Sequence, residues 1–184
     1  LLTRAQRLAR DGELARRALG GHKNNMSAYF TQIGHAHLKV RDLERATAFY
    51  TRFFSLQVVE RVGEGYVFLS GGARHHELAL QHVGVDAPMP PRQATGLNHV
   101  AFETPDKISF ARAYQALTDA GIHVTIVDHC VSWSMYFDDP DGNGLEIYWD
   151  ERGEPDGMKH WRGVNLPLES DDVLAVLEEK ETGG

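Results

Sequence analysis

A repeat constrains this chain more than any other feature. His35-Ala-His-Leu-Lys-Val-Arg-Asp42 and His99-Val-Ala-Phe-Glu-Thr-Pro-Asp106 are both strand-like runs that open on histidine and close on aspartate. His99 stands 64 residues after His35, Asp106 64 after Asp42, and Tyr114 64 after Tyr50. Three matches at one offset define two copies of one unit, and a repeated unit implies a repeated fold. Each aspartate is a good helix N-cap, because its carboxylate can accept from the free N–H groups of the first turn. After Asp42, residues Leu43, Ala46, Phe49, Tyr50 and Phe53 recur at three- and four-residue spacing. Phe110, Ala111, Tyr114 and Leu117 do the same after Asp106. Both segments read as helices that bury one face on a sheet. Gly121 is a natural stop for the second helix, whereas the first ends near Phe54-Ser55 without a glycine.

Strand-like runs follow each helix: Leu56 to Val62, Tyr66 to Leu69 and His76 to His82 in the first copy. In the second they are His123 to Val127, Ser132 to Phe137 and Leu145 to Trp149. Glycine-rich turns separate them. The predicted class is α+β, with two tandem βαβββ modules, 30–85 and 96–150, forming a curled mixed sheet around a cavity. Asp86 to Gly96, with three prolines, reads as a linker between them. Residues 1–28 read as a partly helical extension, and Met26 could serve as a native start. Residues 151–184 read as a polar tail with a short helix near Asp171 to Glu179.

Composition narrows the function. Of 184 residues, 42% are hydrophobic and 24% charged, which excludes a disordered chain. The balance of 19 basic against 26 acidic residues, mixed along the chain, argues against nucleic acid as partner. No run approaches the roughly 20 apolar residues of a membrane span. Cys130 is the only cysteine, so no intramolecular disulfide exists. A cytoplasmic protein is expected. Ten histidines are the unusual feature.

Alternation along a strand sorts side chains onto two faces. Ala36, Leu38 and Val40 form the helix-facing set of the first strand, leaving His35, His37 and Lys39 on the other face. Val100 and Phe102 turn His99, Ala101 and Glu103 to the open face in the second copy. Leu145, Ile147 and Trp149 likewise expose Glu146 and Tyr148. Two imidazoles and one carboxylate, His35, His99 and Glu146, suit a non-haem Fe(II) centre with open coordination positions. His37 is the rival ligand on the first strand, but its counterpart is Ala101.

The chain resembles the vicinal oxygen chelate superfamily, the group of glyoxalases, bleomycin-resistance proteins and extradiol dioxygenases. The resemblance rests on Ile33 to Tyr50, on Gly96-Leu-Asn-His-Val-Ala-Phe102 and on Tyr136-Phe-Asp-Asp-Pro-Asp-Gly-Asn-Gly-Leu-Glu-Ile-Tyr148. It implies paired βαβββ modules and the metal ligands His35, His99 and Glu146. Arg74-His-His-Glu-Leu-Ala-Leu80 resembles the segment of compact catechol-2,3-dioxygenase-like members that carries an acid–base histidine, here His76. Tyr136 matches a tyrosine those enzymes place beside the substrate. Asp128-His-Cys-Val-Ser132 resembles a segment supplying a further active-site histidine, here His129, although Cys130 stands where glycine is common. The resemblance therefore implies an extradiol ring-cleaving dioxygenase. It would use Fe(II), with Mn(II) or another divalent metal as alternatives, on a catechol-like vicinal diol and dioxygen. A homodimer or higher homo-oligomer is expected. Two other functions stay open. If Glu77 rather than His76 faces the metal, the set becomes that of a glyoxalase-like lyase or isomerase. A bleomycin-resistance-type protein would bind a ligand without chemistry. His76 and Glu77 cannot both point inward from a regular strand, so a bulge near Gly71-Gly72 is expected. His22, His75, His82, His123 and His160 read as surface or packing residues.

Overall fold

The computed structural model describes residues 32–182 apart from 73, 92 and 156. The extension expected over 1–28 lies outside the described residues. All the described helices and strands belong to the compact unit 34–184. The first module contains β1 (Ala36–Val40), α1 (Leu43–Phe54), β2 (Gln57–Val62), β3 (Tyr66–Ser70) and β4 (Leu78–His82). The second contains β5 (Val100–Thr104), α2 (Lys107–Asp119), β6 (Thr125–Asp128), β7 (Ser132–Asp138) and β8 (Gly144–Asp150). A 3₁₀ turn, Glu151–Gly153, and α3 (Ser170–Thr182) follow. The last helix starts one residue earlier and runs three residues longer than expected.

The α+β class is as the repeat predicts. Each module forms its own four-stranded sheet, ordered β1-β4-β3-β2 and β5-β8-β7-β6. The first pair in each is parallel and the others are antiparallel. The two sheets therefore repeat one topology and do not join into a closed barrel.

The caps form as the sequence requires. Asp42 accepts from the Arg45 N–H at 2.9 Å and Asp106 from the Ser109 N–H at 2.6 Å. Without a glycine, α1 ends on Ser55 in the left-handed region, at φ 54°. Gly121 follows α2 at φ 75°. The buried helix residues Leu43, Ala46, Phe49, Tyr50, Phe110, Ala111, Tyr114 and Leu117 match the periodicity. Each large apolar side chain among them contributes about 1.5–3 kcal/mol by leaving water.

Helix α1 serves both sheets. Its Phe49 lies 6.5 Å from Phe137, and its Phe54 lies 4.4 Å from Phe102, ring centre to ring centre. Polar contacts reinforce this seam: Arg41 Nε and Arg45 Nη2 reach Asp141 Oδ1 at 3.0 and 2.8 Å. Asn143 Nδ2 donates to the Lys39 carbonyl at 3.3 Å. The helix-facing sides of both sheets thus close on one core, and the opposite faces carry the histidines.

Strand β4 begins at Leu78, two residues later than predicted. The Glu77 backbone still bonds β3 and the start of β1, through Leu69 O at 3.1 Å and Ala36 N at 2.9 Å. His76 precedes the ladder and is free of strict alternation. Among the described residues, the register shift in this sheet falls between Val58 and Glu60 on β2.

Candidate metal centre

The second sheet builds the denser cluster. Register pairs Tyr136 with Glu146 across β7 and β8, and Ala101 with Glu146 across β5 and β8. His99 lies two residues before Ala101, so it falls on the same open face. His99 Nε2 is 2.9 Å from Glu146 Oε2. Tyr136 OH donates to Glu146 Oε1 at 3.0 Å and lies 2.8 Å from His129 Nε2. Burial first, then the Glu146 charge and its hydrogen bond, pushes the Tyr136 hydroxyl up to about 12. Tyr136 is thus a hydrogen-bond donor at neutral pH.

The donor set fits a divalent cation. His99 Nδ1 is 2.8 Å from Asn98 Oδ1, the arrangement in which a ligating imidazole gives its second N–H to a carbonyl. With that proton on Nδ1, Nε2 turns a lone pair toward a carboxylate oxygen. At 2.9 Å the two atoms are joined either by an Nε2 proton or by a shared cation, and an Nδ1 proton leaves Nε2 free for the cation. Imidazole nitrogen and carboxylate oxygen are ligands that Fe(II) and Mn(II) accept.

The first sheet carries the other half. The His35 ring centre lies 4.6 Å from that of His76, which packs edge-on to Phe68 at 4.9 Å. His75 Nδ1 meets His76 Nδ1 at 2.9 Å, and His75 Nε2 lies 3.4 Å from Glu60. Withdrawal from water, then the charges of His35 and His75, lowers the His76 pKa from its ordinary value. The His37 ring centre lies 6.1 Å from that of Tyr66. Glu77 turns back into its own loop, where its Oε2 accepts from the Gly71 N–H at 2.8 Å. Burial works to raise this carboxyl, but the Gly71 N–H, with Ser70 and Arg74, overrides it and holds the pKa below the usual value.

Thus His99, Glu146, Tyr136 and His129 form one set, and His35 with His76 forms another. Among the described residues, no three histidine, cysteine or carboxylate side chains stand close enough together to hold a metal ion. The first set belongs to the second module and the other to the first module.

Three residues of the site had no sequence signal. His75, expected as a bland surface residue, contacts His76. Asn165 Oδ1 lies 2.6 Å from His129 Nδ1. Trp161 donates its Nε1–H to Asn165 Oδ1 at 3.0 Å and to the Val164 carbonyl at 2.8 Å. The tail reaches the site because Leu166 bridges Asp128 through two backbone hydrogen bonds. Beside it opens a cavity of about 370 Å³, lined by Val131, Ser132, Tyr148, Arg152, His160 and Trp161 among others.

Paired βαβββ modules with histidines and a carboxylate on their open faces define a class, and sequence comparison gives the same one. The chain belongs to the Glyoxalase/Bleomycin resistance protein/Dioxygenase superfamily, whose profile matches residues 32–147. The Catechol-2,3-dioxygenase of Bacillus subtilis (strain 168) is 37% identical over 149 residues, which cover 81% of this chain and 52% of that protein. Biphenyl-2,3-diol 1,2-dioxygenase 2 of Rhodococcus globerulus is 29% identical over 128 residues, covering 68% and 66%. The chain therefore spans about half the length of the first relative and about two thirds of the second. Lactoylglutathione lyase from Agrobacterium tumefaciens superposes with a TM-score of 0.52 at 26% identity, over 67% of this chain and 97% of that one. No described helix is long and apolar enough to cross a membrane.

Proposed function

We propose that this protein is an extradiol dioxygenase that opens the ring of a catechol-like vicinal diol with dioxygen. The observation that carries the reading is the Glu146–Tyr136–His129 array, a carboxylate whose neighbours are a hydroxyl donor and an imidazole. The dioxygenase names of the two relatives support it. Fe(II) is the proposed metal, with His99, Glu146 and His35 as ligands. When bound, it supplies a Lewis acid that lowers the proton affinity of the diol oxygens.

The protein's own groups do the rest. His76 takes a proton from one diol hydroxyl at an imidazole nitrogen and returns it later to the product. Tyr136 keeps its proton and turns it from Glu146 to a substrate oxygen when the diol binds. His129, once protonated on Nε2, would donate there to the negative charge that grows on dioxygen. Glu77 is not assigned to the metal, because its Oε2 is engaged by the Gly71 N–H. That contact disfavours the glyoxalase-like reading.

His35 contacts His76 whereas His99 contacts Glu146, and among the described residues no three such side chains stand together. We therefore assign the completed centre to a homodimer, in which His35 of one copy joins His99 and Glu146 of the other. Anaerobic loading with Fe(II), then a catechol screen for yellow ring-fission products with oxygen uptake, tests the activity. Iron retention without oxygen uptake on any vicinal diol overturns it.

A further inference from the structure

His129 has two ring nitrogens, and they face different parts of the chain. Nε2 meets Tyr136 OH at 2.8 Å, while Nδ1 meets Asn165 Oδ1 at 2.6 Å. An amide is ambiguous by itself, since either end can face an imidazole nitrogen. Trp161 removes the ambiguity. Its indole N–H only donates; shared with the Val164 carbonyl at 2.8 Å, it also reaches the same Asn165 atom at 3.0 Å. That atom must be the carbonyl oxygen, because an amide NH₂ there would set donor against donor. An oxygen facing His129 Nδ1 requires a proton on Nδ1.

The rest follows from counting protons. Asn165–His129, His129–Tyr136 and Tyr136–Glu146 are three contacts in series. A neutral His129 with Nδ1–H contributes one proton and Tyr136 contributes another. In the structure the Tyr136 proton is donated to Glu146, and beside a neutral Nδ1–H ring it is the only proton available to Nε2. A second imidazole proton, on Nε2, fills all three contacts. In both states Nδ1 keeps its proton, and only the nitrogen facing Tyr136 gains or loses one.

We propose that Asn165, oriented by the Trp161 indole N–H, is a positioning residue that holds His129 as the Nδ1–H tautomer, so that Nε2 alone exchanges protons with the site. Free histidine favours the opposite tautomer, and the hydrogen bond at the other nitrogen decides which form a protein uses. The segment that supplies Asn165 is fixed by the Leu166 N–H to Asp128 O bond at 2.7 Å and the Asp128 N–H to Leu166 O bond at 3.2 Å. The consequence for turnover rests on the dioxygenase reading; the tautomer does not.

The test uses the full chain, free of metal, carrying histidine labelled with heavy nitrogen. Long-range nitrogen–proton correlation is recorded at a pH where the ring is neutral, with His129→Gln to assign the signals. The expected wild-type pattern has a protonated Nδ1 and an unprotonated Nε2. Asn165→Asp keeps an acceptor and should keep the pattern. Asn165→Leu and Trp161→Phe should move it toward Nε2–H. A wild-type ring protonated on Nε2, or an Asn165→Leu spectrum unchanged from wild type, overturns the proposal. Because no turnover is measured, ring cleavage that fails beside an intact Nδ1–H pattern counts against the dioxygenase reading alone.

Discussion

Tyr50 of α1 donates its hydroxyl to Asp139 Oδ2 across the seam between modules, at 2.9 Å and out of contact with water. Asp139 also collects the N–H groups of Asp141 and Asn143 and the Asn143 amide. Its carboxylate therefore organises the β7–β8 turn and ties it to the other module. Tyr114, the repeat partner of Tyr50, meets Ser170 of α3 at 2.7 Å instead. The duplicated tyrosine thus has two different tasks. Tyr50→Phe should lower stability by about 1.5–3 kcal/mol, the usual size for a bond to a charged acceptor. Urea denaturation midpoints check this.

The split between half-sites gives a second prediction. His35→Ala and His99→Ala should each lose tight Fe(II) binding. Refolding the two variants together should restore it in part, to about a quarter of the wild-type iron per chain, because a mixed dimer regains one complete site of two. Iron analysis of the separated mixture is the measurement. A site completed within one chain would regain none.

His76→Phe should leave iron bound and slow ring cleavage by about a hundredfold or more, the range of a lost acid–base group. The check is oxygen uptake at matched iron content.

Glu77 offers a prediction with a definite sign. Its folded pKa lies below the 4.5 of an ordinary glutamate. The stability it contributes is therefore fully present above that value and is lost as pH falls through the folded pKa. Glu77→Gln should be less stable than wild type near neutrality, and the gap should close on acidification. Denaturation at about pH 7 and about pH 3 measures it. Fe(II) affinity should not change, whereas a ligating Glu77 would make it fall.

Cys130 sits at φ 63°, the left-handed region. A side chain there costs about 1–2 kcal/mol, offset in part by the greater unfolded freedom of glycine. Cys130→Gly should raise stability by about 0.5–1 kcal/mol on this balance, read as a shift in thermal midpoint. The glycine that the resemblance expected at this position has the same backbone reason.

Much of this architecture was legible because periodicity is local. The 64-residue offset, the two aspartate caps and the alternation along β1, β5 and β8 each need only neighbouring residues. They placed His99 and Glu146 on one face, and the Tyr136 register then followed. Alternation says which side of its own sheet a residue takes, but not how two sheets confront each other. The division between His35 and His99 was therefore not readable. Trp161 and Asn165 lie in a tail without pattern, and a pairing with Asp128 alone brings them to His129. His76 and Glu77 resisted assignment because they precede the ladder, where a loop sets their directions.

The backbone kink at residue 130 leaves the lone thiol next to the imidazole assigned to handle dioxygen. Burial, then the carboxylates of Asp128 and Glu151, pushes its pKa above the ordinary value. Oxidants attack the thiolate form, so the same surroundings that crowd this sulfur also passivate it. On the dioxygenase reading, a catalyst that works with oxygen at arm's length is thereby shielded from becoming its own substrate.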